Sequence, residues 1–404
     1  MIFERNFILN MWLIVLCIVG LASFLYKIEI SFWSSCYFIT AMMMVYKFLT
    51  TKLKFKLDVL NHPHKAKYNL IIFLYFLGAV TCIPLLLENQ SNLGKDWSEI
   101  REYHLENRSG GGGLYTINFL ASPLIFVPYI ILSFSKVRAH RVIANTVAAF
   151  ISFSFIFITG GRVHFIVFGL FFLAIYLLNN RVVIFKRMVS FLIKFILFFI
   201  LIVILGSLLT LARNTADTSR LMEVYLSLNN VKVDVATTLL QYEWGAIVFV
   251  MLTQAFEYVG QCLIFFSMYF DNYEMVPMSY GFYEFNFLDR FGIINWLDVH
   301  DKIDYIYSAK FGIFHNVWGT IFRDMIVDFG IFGSLIFLFL LLYLFRLSLK
   351  YMNTFLSAQV LYIFLFSLFL FSPFYSLMAI RNFSLSFFCV FVWFLYNLII
   401  YRKR

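Results

Sequence analysis

Apolar runs of roughly 20 residues recur along almost the whole chain, and each is about the length a helix needs to cross the hydrocarbon core of a bilayer. This pattern constrains the fold more than any other feature. In lipid every backbone polar group must be satisfied within the protein, so only helices or a closed barrel can span. The runs are continuous rather than alternating, which selects helices. They fall near 7–26, 30–50, 68–87, 114–134, 142–159, 163–178, 189–211, 324–347, 355–372 and 383–400. The expectation is an all-α, polytopic integral membrane protein of about ten (10–12) transmembrane helices. One integral domain covers 1–404, with a large external region at 212–322 inside it. Composition agrees: 62% of the 404 residues are hydrophobic and 13% charged, too few to coat a water-soluble protein of this size.

The formal net charge is +10. In a soluble protein this would suggest nucleic acid. Here it reads as the positive-inside rule, and no nucleic-acid partner is expected. The basic connections are KLKFKLDVLNHPHKAK (52–67), SKVRAHR (135–141), NNRVVIFKR (179–187), the turn with Arg346 and Lys350, and the tail YRKR (401–404). All fall on one side if both termini are cytoplasmic, and the more acidic stretch 88–113 then lies outside. The first run starts at Phe7 and lacks a small-residue cleavage site, so it reads as a retained helix rather than a signal peptide. The five cysteines are scattered without a CxxC, so neither a disulfide framework nor a metal site is indicated. The 53 phenylalanines read as coding bias plus lipid-facing bulk.

The segment 244–270 is apolar but carries Gln254, Glu257 and Gln261. One crossing there would break the parity of the basic loops. A re-entrant or interfacial helical pair keeps it, and an additional true span is the alternative. No internal repeat is visible, against an inverted-repeat transporter.

Polar residues in such a chain need a partner or a role, because a charge at bilayer depth costs about 2.5–3.5 kcal/mol on insertion scales. Arg162 stands in FIFITGGRVHFIVF, where Gly160 and Gly161 let the chain turn tightly in front of it. Arg213, Arg290 and Arg323 fall on the same external side. Guanidinium groups suit bidentate capture of phosphate, and the functional expectation is a lipid-linked pyrophosphate. The alternative is snorkelling, or pairing with local carboxylates such as Asp217, Asp289 or Asp324. His315, beside Asn316, is a candidate general base, with Asp324 or Glu257 behind it. The bland reading of each is an interfacial or packing-level polar group. Asp328 stabilises a helix N-terminus or pairs with an arginine. The string DFG at 328–330 lacks the rest of the kinase signature, and there is no HExxH, GxSxG or Walker A. No metal and no cofactor are expected, and neither is a cytoplasmic nucleotide-activated donor.

Three segments in this order resemble the Wzy family of O-antigen and oligosaccharide repeat-unit polymerases: ITGGR (158–162), YVGQCLIFF (258–266) and HNVWGTIFRDMIVDFGIFGSLI (315–336). The resemblance covers roughly 140 to 340. It implies an inner-membrane glycosyltransferase with a C-superfamily-like helical fold and an active site facing the periplasm. Donor and acceptor are undecaprenyl-pyrophosphate-linked oligosaccharides, and the growing glycan moves onto the non-reducing end of a new unit. Membrane lipids surround it, and a chain-length regulator and a flippase of the same pathway are its implied partners. The resemblance carries a pyrophosphate-binding role to Arg162, and less directly to Arg213 and Arg290. The rivals are an O-antigen ligase transferring the glycan to lipid A-core, a non-enzymatic lipid-linked oligosaccharide flippase and a generic transporter. A flippase should carry ionisable residues through the midplane, whereas these cations gather at one interface.

Overall fold

The computed structural model describes residues 2–26, 31–50, 67–90, 113–159, 163–186, 320–373 and 375–402, with parts of 263–288. Among them the regular structure is helical: α1 (Ile2–Tyr26), α2 (Phe32–Thr50), α3 (Tyr68–Val80), α4 (Cys82–Glu88), α5 (Gly113–Leu120), α6 (Ser122–Ser133), α7 (Arg138–Thr159), α8 (Val163–Lys186), α9 (Ile321–Tyr351), α10 (Leu356–Phe371) and α11 (Arg381–Arg402). These coincide with the apolar runs. The run at 189–211 lies outside the described residues. Among the described residues, five helical stretches are long and apolar enough to cross a membrane: Tyr68–Glu88, Gly113–Ser133, Arg138–Ile156, Ile321–Tyr351 and Arg381–Tyr401. Shorter apolar helices occupy Arg5–Cys17, Val163–Asn179 and Leu356–Phe371.

Two of the long stretches are broken where the sequence withdraws a backbone donor. Pro84 follows the break at Thr81, and Pro123 opens α6 just after Ala121. Thr81 turns its hydroxyl back onto the Gly78 carbonyl at 2.6 Å, satisfying an acceptor near the break. At Gly78, α3 lies close against the backbone of α6. A Cβ there would lie 3.1 Å from the Leu124 backbone, so a small residue sets the separation of the two helices.

At the centre lies α10, with Ser357 to Leu370 buried on every face. A helix apolar all round belongs in the core, and this one packs against α9, α11, α8 and α1. Trp12 of α1 donates its indole N–H to the Phe369 carbonyl at 2.9 Å, and its ring meets Phe38 and Phe322 at 5.7 and 5.3 Å. Phe266, Tyr37 and Phe270 extend that aromatic cluster. Phenylalanine is therefore as much core as lipid-facing bulk, a correction to its reading from composition. The outer faces stay apolar: Phe73, Phe153, Phe172, Phe332, Ile336 and Tyr396 are all exposed. In water so much exposed apolar surface would drive association, whereas acyl chains solvate it.

Contacts fix which helix ends lie together. Arg5 sits over the Tyr46 ring, joining the start of α1 to the end of α2. Tyr68 stacks on His140, and Tyr351 meets Tyr401 edge to face at the ends of α9 and α11. Lys47, Lys67, Lys136, Arg138, Arg141 and Lys350 cluster at this basic end. The opposite end gathers the start of α2, the start of α9, the α10–α11 turn and the described part of 263–288.

Candidate functional site

The site at that opposite end grows from a helix start and a helix break. Thr320 is the N-cap of α9, its hydroxyl accepting the Arg323 N–H at 3.1 Å. The Ile321 N–H reaches the Ser372 carbonyl at 3.2 Å, tying α9 to the end of α10. The break comes at Gly330, where φ is +67° and ψ −178°, a backbone geometry essentially confined to glycine. A straight helix would spend the Val327 and Asp328 carbonyls on the amides four residues on. Here they accept the N–H groups of Ser279 and Tyr280, at 3.0 and 2.9 Å. The loop 278–288 is thus hydrogen-bonded to the kink of α9.

Asp328 completes that docking. Its two carboxylate oxygens accept the Tyr283 and Glu284 N–H groups, each at 2.8 Å. Phe329 lies where a Cβ on Gly281 would meet its ring at 3.4 Å, and Gly281 itself has φ +92°. The string Asp328-Phe329-Gly330 thereby acts as one loop-docking unit: carboxylate clamp, aromatic wall and backbone kink. Asp328 had been expected to stabilise a helix N-terminus or pair with an arginine. It accepts the backbone amides of a distant loop instead.

Arg323 is 1% exposed. Its Nε and terminal nitrogen lie 2.8 and 2.7 Å from Asp324 Oδ1. The same guanidinium donates to the Tyr283 hydroxyl at 3.2 Å and stands 5.8 Å from that ring. Of the two sequence readings for this cation, pairing with a local carboxylate is the one realised. Neither Arg323 as a pyrophosphate ligand nor Asp324 as a base is presented outward. Both are turned into the protein and onto each other.

Glu284 is the residue that sequence reasoning missed. It is fully buried, and its Oε2 accepts the Ser376 hydroxyl at 2.9 Å. Burial, then the neighbouring Asp324 and Asp328 carboxylates, push it well above the usual carboxylate range. Phe287 seats the end of the loop among Phe119 and Leu385, so the loop touches α9, the α10–α11 turn, α5 and α11.

Arg162 with Gly160 and Gly161, Arg213, Glu257, Arg290, His315 and Asn316 lie outside the described residues. Their flanks are informative. Helix α7 ends at Thr159 and α8 begins at Val163. Next to it, the buried His164 ring stacks on Phe155 at 3.7 Å, and its Nε2 lies 3.2 Å from Asn382 Nδ2. The docked loop runs to Leu288, two residues before Arg290 in the chain. Among the described residues no three histidine, cysteine or carboxylate groups could hold a metal ion. No family model, no curated protein and no solved structure matches the chain.

Proposed function

We propose that this protein is an O-antigen-type polymerase, joining repeat units carried on a polyprenyl pyrophosphate at the non-cytoplasmic face of a bacterial inner membrane. The observation that supports it most is the docking of 278–288 on α9. The segment 315–336, which resembles the polymerase family, contains the Asp328-Phe329-Gly330 unit that receives the loop leading to Arg290. The docked loop lies at the end of an apolar helix bundle opposite the basic loops. A lipid-linked substrate would place its pyrophosphate at such an end, with its tail in the bilayer.

In the reaction, the acceptor hydroxyl oxygen attacks the anomeric carbon of the donor glycan. The bond from that carbon to the pyrophosphate oxygen breaks, and the polyprenyl pyrophosphate departs with the electron pair. The hydroxyl proton passes to a base, His315 or Glu257. Charge develops on the leaving group, and preorganised guanidinium groups stabilise it most in a water-poor site. Arg162, Arg213 and Arg290 take that role. Arg323 is withdrawn from it by its pairing with Asp324. Tethering both reactants in one bilayer raises their effective concentration.

The test is a gel of surface lipopolysaccharide from a strain lacking the gene, beside its parent and a complemented strain. A ladder reduced to core with a single repeat unit supports the polymerase. Core with no repeat unit contradicts it and favours the ligase or the flippase.

A further inference from the structure

The loop 278–288 is held by two kinds of contact. Phe287 in its apolar pocket is indifferent to pH. The polar contacts are not. Among the described residues they enclose three carboxyl groups, Glu284, Asp324 and Asp328, with one guanidinium, Arg323, and each of these residues is at most 1% exposed. With every carboxyl ionised, the enclosed groups would hold more negative charge than Arg323 can balance. Buried charge without compensation is expensive, and a titratable group neutralises instead.

The geometry says which one. Asp324 has the guanidinium, with two nitrogens on Oδ1. Asp328 has two backbone N–H donors, one on each oxygen. Among the described residues Glu284 has neither a cation nor a backbone donor on its carboxyl group, and its Oε2 receives only the Ser376 hydroxyl. No three ligating groups among the described residues converge for a metal ion. A proton taken up by one of these carboxyl groups lowers the excess of negative charge.

We propose that Glu284 is the protonation site of a latch: with its proton bound the 278–288 loop seats on α9 and the α10–α11 turn, and losing the proton releases it. The groups facing Glu284 are Arg323, Asp324 and Asp328 from α9 and Ser376 from the turn. Burial and the two aspartates favour the neutral form, outweighing Ser376 and Arg323, which favour the charged one. In the released, solvated loop the group returns to about 4.3. Seating therefore takes up a proton. Its stabilisation is complete below the ordinary glutamate value and is lost as pH rises through the raised value of the seated state. Above that value the seated population falls about tenfold per pH unit. The latch is independent of the reaction proposed above.

The experiment is hydrogen exchange on the full-length protein in lipid nanodiscs, followed in peptides covering 278–288 from about pH 5 to about pH 9 and corrected for intrinsic exchange. The expected result is protection that falls up to about tenfold per pH unit in the upper range, and a flat profile in Glu284→Gln. A flat wild-type profile, or the same slope in Glu284→Gln, overturns the proposal. Should Glu284→Gln fail to fold, infrared spectroscopy of the wild type with isotope-labelled glutamate decides. A labelled carboxylic-acid carbonyl band at about pH 6 that disappears on raising the pH supports the latch, and its absence at pH 6 overturns it.

Discussion

The two ends of the helix bundle both carry charge and treat it in opposite ways. At the basic end Lys47, Lys67, Lys136, Arg138, Arg141 and Lys350 are exposed. At the other, Arg323, Asp324, Asp328 and Glu284 are sealed from solvent, with hydrogen bonds between Arg323 and Asp324, from loop amides to Asp328 and from Ser376 to Glu284. An exposed cation needs only water around it, and any of its neighbours could do the same work. A buried one needs a partner at a defined place. Charge at the basic end thus stays at the surface, whereas charge at the other end is built into the packing.

The comparison breaks most sharply at Arg323. Arg323→Ala leaves Asp324 buried without its guanidinium, and the expected loss is about 3–5 kcal/mol, read from thermal unfolding in detergent. Replacing both partners by apolar residues of similar volume, Arg323→Met with Asp324→Leu, should cost clearly less than the single change. Equal losses would mean that the pair is not a unit.

Next is Asp328→Ala, which strands two buried N–H groups at about 1–3 kcal/mol each. It should open 278–288 to limited proteolysis while the helices stay folded. Gly330→Ala tests the same docking from the backbone side. Forcing a Cβ into that conformation should cost about 1–3 kcal/mol, seen as a lower unfolding temperature and the same proteolytic cut. Lys350→Ala at the basic end is the smallest, within about 0.5 kcal/mol by the same unfolding measurement. A large loss there would erase the distinction between the two ends.

Much of the bundle was legible in the sequence, because lipid leaves a chain few options. A run of about 20 apolar residues has one stable form in a bilayer. The breaks at Thr81 and Ala121 were signalled by Pro84 and Pro123, yet a continuous hydropathy run hides them. The polar cluster was legible only in part. Arg323 and Asp324 stand out as charges beside an apolar run, but adjacent residues on a helix point apart as a rule, so the sequence leaves their pairing as one of two readings. They meet here in the first turn of α9, where the long arginine side chain reaches its neighbour's carboxylate. Glu284 gave no local signal: in YGFYEFNF it reads as one carboxylate in an external loop. Its burial depends on Asp328, 44 positions along the chain, and on Ser376, 92 positions along. Such a contact leaves no periodicity to read. The glycine of DFG was the available clue, since a glycine after an acidic residue within a helical run marks a place where the backbone can turn.

Chain growth on a lipid-linked pyrophosphate, as proposed above, can be followed by reconstitution. The purified full chain in liposomes is given a polyprenyl-pyrophosphate-linked oligosaccharide repeat unit, and the products are separated by length. The account expects lipid-linked glycans of two or more units, matched by free polyprenyl pyrophosphate, and loss of both in Arg162→Ala protein that remains folded. Repeat units that stay single, or that only change leaflet, in the presence of folded wild-type protein would contradict it.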